Sequence, residues 1–217
     1  MDQEFIKNVI KKLNNRQVLI AASKTRSKEE ILKAYEFGIN DFGENYVQEL
    51  IAKHSENDKF NWHFIGRIQT NKIKDIVSRV VLIHGVSRIK EVQEINKQSL
   101  KINKISNILI EVNLIPNDLT HGGIREEELE GFLKECSNYP NINVKGFMII
   151  GPNSDDKKEI ENVFIKGEKL FNIYSKKYQS ISELSMGMSD DYDIALKHSA
   201  TMIRIGTKIF GPRDYSK

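Results

Sequence analysis

Short apolar runs alternate with longer segments whose apolar residues recur at helical spacing, and the alternation continues from residue 17 almost to the end of the chain. Apolar strands, each followed by an amphipathic helix, are the pattern of βα units around a parallel sheet. The first unit pairs a strand over 17–23 with a helix over 28–37, where Ser27 and Glu30 stand in capping-box register and Gly38 suits a left-handed helix end. A short strand at 39–42 leads through GEN into a helix at 46–53, and WHFIG from Trp62 is followed by the helical period of RIQTNKIKDIV. VVLIHGV with SRIKEVQEINKQS, NILIEVNL with a helix over 126–136, and VKGFMII with a charged helix over 157–177 continue the series. ELSMG with a helix over 191–197, and then TMIRIG, bring the strands to eight. Upstream, MDQEFIKNVIKKLNN sets Phe5, Ile6, Val9, Ile10 and Leu13 on one helical face. The pattern predicts an α/β chain folded as a single (β/α)8 TIM-type barrel domain over 1–217, with an extra N-terminal helix covering the barrel floor or flanking it. A doubly wound open sheet is the alternative.

Composition narrows the partners. With 39% hydrophobic and 29% charged residues the chain is globular rather than disordered. The net charge is +3 and the lysines are scattered, which argues against a nucleic-acid partner or a membrane surface. Cys136 is the single cysteine, so no internal disulfide or zinc–thiolate cluster forms; no metal site is expected, and the chemistry suits a reducing cytoplasm. No apolar stretch approaches the ~20 residues of a membrane span, and the N-terminal helix is too charged to be a signal peptide.

In a barrel of this kind the chemistry sits at the C-terminal ends of the strands. The residues that follow the apolar runs are polar: Lys24, Glu44, Asn45, His63, Gly66, His84, Asn113, Ser185, Gly187, Arg204, Gly206 and Thr207. LSMGMS and RIGTKIFG occupy the places after strands seven and eight, where such barrels frequently bind phosphate. Glycine lets backbone amides approach an anion, and Ser185 and Thr207 add hydroxyls. Across the mouth, Lys24 has two uses: a Schiff base with a carbonyl, or a point charge for the phosphate. Pyridoxal 5'-phosphate (PLP) and phosphorylated sugars satisfy this pattern equally. Plainer readings stand beside it. Lys24 can be a solvated lysine, Arg204 can close a structural salt bridge, His63 can be a hydrogen-bonded core residue, and Asn45 can cap the following helix. His121 falls in a loop, SDDYD reads as an acid-rich helix start, and Cys136 as a small core residue.

AASKT, FGENYVQEL, WHFIGRIQTNKIK, EVN, VKGFMII and above all ELSMGMSDDYDIALKHSATMIRIGTKIFGPRDY resemble the motifs of the pyridoxal phosphate homeostasis proteins, the YggS/PROSC family. That family is related in fold to the N-terminal domain of alanine racemase. The resemblance implies that Lys24 forms an internal aldimine, a Schiff base, with PLP. It also implies that Ser185 and the backbone around Gly206 and Thr207 hold the phosphate, and that Arg204 faces the pyridine nitrogen. Asn45, His63, Met186 and Gly187 match family positions near the cofactor. THGGI departs from the family's lysine–glycine pair, and HGVSR lacks an aspartate often found there.

A guanidinium beside the pyridine nitrogen disfavours ring protonation, the state that stabilises carbanions. The chain ends at Lys217, without the further domain from which alanine racemase draws a second acid/base. The expectation is a monomeric, cytoplasmic protein of PLP homeostasis that holds the cofactor, passes it to apo-enzymes and carries no dedicated catalytic residue. Alternatives are a racemase-like PLP enzyme using His63, Tyr46 or His84 as second acid/base, a Schiff-base aldolase on Lys24, and a scaffold or nucleic-acid-binding barrel.

Overall fold

A computed structural model describes residues 1–118 and 120–212. The expected strands close into one barrel. They are β1 (Val18–Ala22), β2 (Asp41–Glu44), β3 (Asn61–Phe64), β4 (Leu82–Val86), β5 (Ser106–Glu111), β6 (Ile142–Met148), β7 (Glu183–Ser185) and β8 (Met202–Ile205). Each pairs in parallel with the next and β8 pairs with β1, so no sheet edge is left open. Helices α2 (Lys28–Glu36), α3 (Val47–Lys53), α4 (Ile73–Val77), α5 (Ile89–Lys101), α6 (Leu129–Cys136), α7 (Lys157–Lys177), α8 (Tyr192–Lys197) and α9 (Thr207–Phe210) follow the strands in order.

The extra helix α1 (Gln3–Lys12) flanks the barrel. Asp2 N donates to Ile209 O at 2.9 Å, Phe5 meets Tyr192 edge to face, and Lys12 pairs with Asp193 at 3.0 Å. The capping box of α2 forms as its sequence requires: Ser27 Oγ accepts from Glu30 N, Glu30 Oε2 accepts from Ser27 N, and Gly38 follows at φ +98°.

Alternation along each strand divides the core in two. Leu19, Ala21, Phe42, Phe64, Ile83 and Ile110 belong to the layer beneath the helices. Ile20, Leu82, Leu109, Met148 and Met202 pack together inside the barrel and plug its lower half. Above that plug the interior carries the buried polar residues His84, Ser185 and Arg204.

Several boundaries differ from the sequence reading by two or three residues: β4 begins at Leu82 rather than 80, β5 ends at Glu111 rather than 114, and β6 spans Ile142–Met148 rather than 144–150. β2 lies two residues later than 39–42, because Gly43 and Glu44 continue its pairing with β3. The helix expected from RIQTNKIKDIV begins as a 3-10 turn at Thr70–Lys72, and α6 likewise follows a 3-10 turn at Glu126–Glu128. Asn45 does not cap α3; that place is taken by Tyr46, which makes no side-chain cap bond.

Candidate functional site

Lys24 follows β1 on a turn held from both sides. Ser23 N donates to Gly43 O at 2.9 Å, and Thr25, at φ +65°, donates its amide to Glu49 Oε2 at 2.7 Å. A non-glycine residue in that conformation needs its surroundings to fix it. The fixing group is Lys53 on α3, whose ammonium bonds Ser23 O at 2.9 Å, Glu44 Oε1 at 2.9 Å and Glu49 Oε2 at 2.5 Å. Glu44 Oε1 also accepts from Ser23 Oγ at 2.7 Å. Burial pushes the Glu44 carboxyl above its ordinary range, while Lys53 and Ser23 pull it back. Glu44, one of the candidates after strand two, therefore works behind the sheet: it anchors the ammonium that grips Ser23 directly and Thr25 through Glu49.

On the next strand of the barrel, register sets Ile20 beside Arg204, so Lys24 and Arg204 rise on adjacent strands toward one mouth. Arg204 is 6% exposed and makes no salt bridge among the described residues. Its Nη1 donates to Ser185 Oγ at 2.6 Å and its Nη2 to Ile149 O at 3.1 Å. Burial lowers its pKa to about 10, against the opposing charges of Asp191 and Glu111, so it stays cationic at neutral pH. Asp191 is the buried acid of the SDDYD run; its Oδ1 accepts from Met188 N and does not cap α8.

Across the lumen, His63 Nε2 contacts Asp41 Oδ1 at 2.9 Å and His63 Nδ1 contacts His84 Nε2 at 3.2 Å. A carboxylate accepts only, so His63 carries its proton on Nε2, and His84 Nε2 must donate to His63 Nδ1. His84 Nδ1 is thereby left as an acceptor; it is buried and has no partner among the described residues. Burial, with the nearby charge of Arg204, holds the His84 pKa well below its ordinary value. His63 is the hydrogen-bonded core residue of the plainer reading, with Asp41 and a second histidine as its partners.

The loops after β7 and β8 meet where Thr207 Oγ1 donates to Ser189 Oγ at 3.1 Å. Met186 N bonds Met202 O at 3.1 Å and Arg204 N bonds Gly187 O at 2.9 Å, which ties the first loop to β8. Gly187 lies at φ +92°, and a Cβ there would stand 2.6 Å from Ala195 Cβ. Gly206 packs on Ala22 O, which a Cβ would approach to 3.3 Å. Asn45 sits at the mouth with Oδ1 buried and without a partner among the described residues, and its backbone presses so closely on Gly66 that a Cβ would lie 2.0 Å from Asn45 O.

The structure thus brings Lys24, Asn45, Ser185, Met186, Gly187, Arg204, Gly206 and Thr207 to the C-terminal end of one barrel. Asn113 turns away from the mouth: its Nδ2 bonds Asp118 at 3.0 Å, and His121 Nδ1 bonds the same carboxylate at 2.8 Å. Tyr46 is 55% exposed on the rim. Lys53, Glu49 and Glu111 escaped the sequence reading; a lysine and a glutamate four residues apart on α3 were the available signal for the first two. Among the described residues no group of acids, histidines and cysteine could hold a metal ion, and no helix is long and apolar enough to cross a membrane.

The model of the family described as alanine racemase, N-terminal domain, matches residues 6–214. A pyridoxal phosphate homeostasis protein of Aquifex aeolicus is 38% identical over 200 residues, covering 91% of this chain and 87% of that one. Its counterpart from Haemophilus influenzae is 37% identical over 223 residues, 99% of this chain and 94% of the other. PipY of Synechococcus elongatus PCC7942, whose structure was solved with PLP bound, superposes at a TM-score of 0.88 with 29% identity, over 96% of this chain and 99% of PipY. An alanine racemase of Clostridium difficile 630 shares the fold, at a TM-score of 0.75 and 13% identity, over 97% of this chain and 56% of the racemase. The chain belongs to the alanine racemase N-terminal domain family, among the pyridoxal phosphate homeostasis proteins.

Proposed function

We propose that this chain binds PLP at the mouth of its barrel, links it covalently to Lys24, and holds and releases the cofactor rather than turning over a substrate. The observation that carries the reading is the pinned lysine of β1 beside the buried arginine of β8, with two joined loops suited to phosphate on the same rim.

The residues present fit the cofactor. Asn45 Oδ1 is a buried polar atom lacking a partner among the described residues, and the glycines at 187 and 206 keep side chains out of the space above β7 and β8. Ser185 Oγ accepts from Arg204 and keeps its own proton to donate. With Thr207 Oγ1 and the amides around Gly206, it forms the phosphate end of the proposed site, and Met186 and Gly187 shape its wall. When bound, PLP supplies an aldehyde that an amine captures reversibly. Lys24 supplies that amine, on a turn that Lys53 and Glu49 keep in place. Arg204 remains cationic at the bottom of the site, and a fixed positive charge there opposes protonation of a ring nitrogen. This arrangement stores an aldehyde well and stabilises a carbanion poorly. On this reading the loaded chain is a monomeric reservoir from which apo-enzymes draw PLP.

The spectrum of the purified protein tests the reading. PLP held on Lys24 gives a visible absorbance that disappears in Lys24→Ala; a colourless wild-type protein that takes up no PLP contradicts it. One observation favours a catalytic reading instead, the Nδ1 of His84 inside the barrel, which has no partner among the described residues. Incubating the PLP-loaded protein with amino acids in deuterated water separates the two. Slow or absent exchange of the α-hydrogen fits the carrier, and rapid exchange makes the protein an enzyme.

A further inference from the structure

The lumen plug of Ile20, Leu82, Leu109, Met148 and Met202 is apolar, yet one polar thread passes beside it. Its lower end is Asp41, which opens β2 at the barrel floor and lines a cavity of about 310 Å³ there, with Leu13, Gln17, Val18 and Asn40 among others. The Asp41 side chain is 17% exposed, while His63 and His84 are buried. From Asp41 Oδ1 the thread runs to His63 Nε2 at 2.9 Å, and from His63 Nδ1 to His84 Nε2 at 3.2 Å. Asn61 Nδ2 donates to the same Asp41 oxygen at 3.0 Å and holds the carboxylate in place.

The bonds set the direction of every proton. Each ring carries one proton, on Nε2, and each Nδ1 is an acceptor. His63 Nδ1 is taken by His84; His84 Nδ1 is buried and has no partner among the described residues, so the thread ends in the lumen on an open acceptor. The charges at its two ends are opposite. Arg204, buried and cationic, acts on His84 from above, and a carboxylate waits below at the solvent-facing floor. That field drives a proton from the lumen toward Asp41.

We propose that Asp41, His63 and His84 form a proton relay between the lumen beside Arg204 and the barrel floor, and that it carries off the proton a cofactor's ring nitrogen gives up on meeting Arg204. A proton binds His84 Nδ1, and the Nε2 proton of that ring passes to His63 Nδ1. The Nε2 proton of His63 then passes to Asp41, whose carboxyl releases it to solvent at the floor. One proton enters and one leaves, no charge stays behind, and both rings end protonated on Nδ1. The reverse sequence resets the rings and brings a proton up when the cofactor leaves. In neutral water PLP carries a proton on its ring nitrogen, which the fixed charge of Arg204 opposes. This use deepens the carrier reading and rests on it, whereas the relay rests on the bonds alone. It also gives His84 Nδ1 a role that needs no turnover of substrate.

The first test uses the full chain without PLP, labelled with ¹⁵N-histidine at neutral pH. Asp41→Asn keeps an oxygen that accepts from His63 but cannot take up a proton. Exchange of the His84 Nε2 proton with water should slow about tenfold or more in this variant, while the ¹⁵N shifts still show both rings protonated on Nε2. Equal exchange in variant and wild type makes the thread merely structural and overturns the relay. Where Asp41→Asn breaks the bond to His63, His63→Gln interrupts the thread one residue higher and should slow the same exchange; unchanged exchange there overturns the relay as well. The second test mixes the chain with PLP in the presence of a pH indicator. Wild type releases a proton in step with the visible absorbance, and in Asp41→Asn the release lags behind it. Release in step in the variant overturns the cofactor role. Wild type that takes up no PLP sinks the carrier reading instead, and the exchange measurement still decides the relay.

Discussion

Lys53→Met removes the ammonium that grips the turn of Lys24 while keeping a side chain of comparable length. The side chains of Lys53 and Glu44 are 10% and 0% exposed, and they pair at 2.9 Å. Deleting one partner of such a pair strands the other charge, at a cost of about 3–5 kcal/mol. Glu44 retains the Ser23 hydroxyl and can take up a proton, which places the expected loss near the lower figure, about 3 kcal/mol at pH 8. The loss depends on pH with a definite sign. Burial already raises the Glu44 carboxyl above the ordinary 4.5, and removal of Lys53, which pulls it down, raises it further. A carboxyl whose folded pKa exceeds its unfolded one binds the extra proton in the folded state, so stability falls as pH rises through that window. The deficit of the variant is therefore largest at pH 8 and shrinks toward pH 5. Urea unfolding followed by the fluorescence of Trp62, the single tryptophan, measures both quantities. Adding Glu44→Gln to Lys53→Met should restore part of the stability, because an amide needs no counter-charge. A variant within about 1 kcal/mol of wild type at pH 8, or a deficit independent of pH, refutes the reasoning.

Thr207→Ala and Ser185→Ala should each weaken PLP retention by about 1 kcal/mol or more, read by dialysis of the loaded protein, as expected for losing a hydrogen bond to a charged group; unchanged retention in both would place the phosphate elsewhere. The His84 ring should stay neutral at pH 5.5 with Nδ1 unprotonated, visible in ¹⁵N spectra of labelled histidine, and a charged ring there contradicts the Asp41–His63–His84 chain. Because its folded pKa lies below the unfolded one, His84 takes stability away as pH falls below about 6.5, the ordinary value for histidine. Gly66→Ala sets a Cβ 2.0 Å from Asn45 O, a clash with backbone that cannot rotate away; it should cost about 3 kcal/mol or more in urea unfolding, and a neutral result would mean that Asn45 is not held as described.

The barrel was legible because strands buried on both faces read as apolar runs and the helices between them show their period openly. At β2 the reading slipped because Gly43 and Glu44 break the apolar signal while still pairing as strand, so the strand was placed two residues early. Lys24, Arg204 and the two loops could be named from their places after strands, since a barrel collects those places at one mouth. The clamp on Lys24 could not be named. Whether Glu44 faces the lumen or the helices depends on a register shift of one residue, and its partner Lys53 looks like any helix lysine until that facing is known. His63 and His84 belong to neighbouring strands, so their pairing is a fact of register between β3 and β4. Glu111 closes an apolar strand, and only the glycines opposite it, from β4 and the 120–123 loop, reveal the space it faces.

The central claim, that this family member carries its cofactor on Lys24, is tested most directly by chemistry on the loaded protein. Treating PLP-loaded wild type with borohydride and digesting it should leave a phosphopyridoxyl group on the peptide containing Lys24, in near-stoichiometric yield. A label on another lysine, or none on a protein that demonstrably binds PLP, would contradict the account.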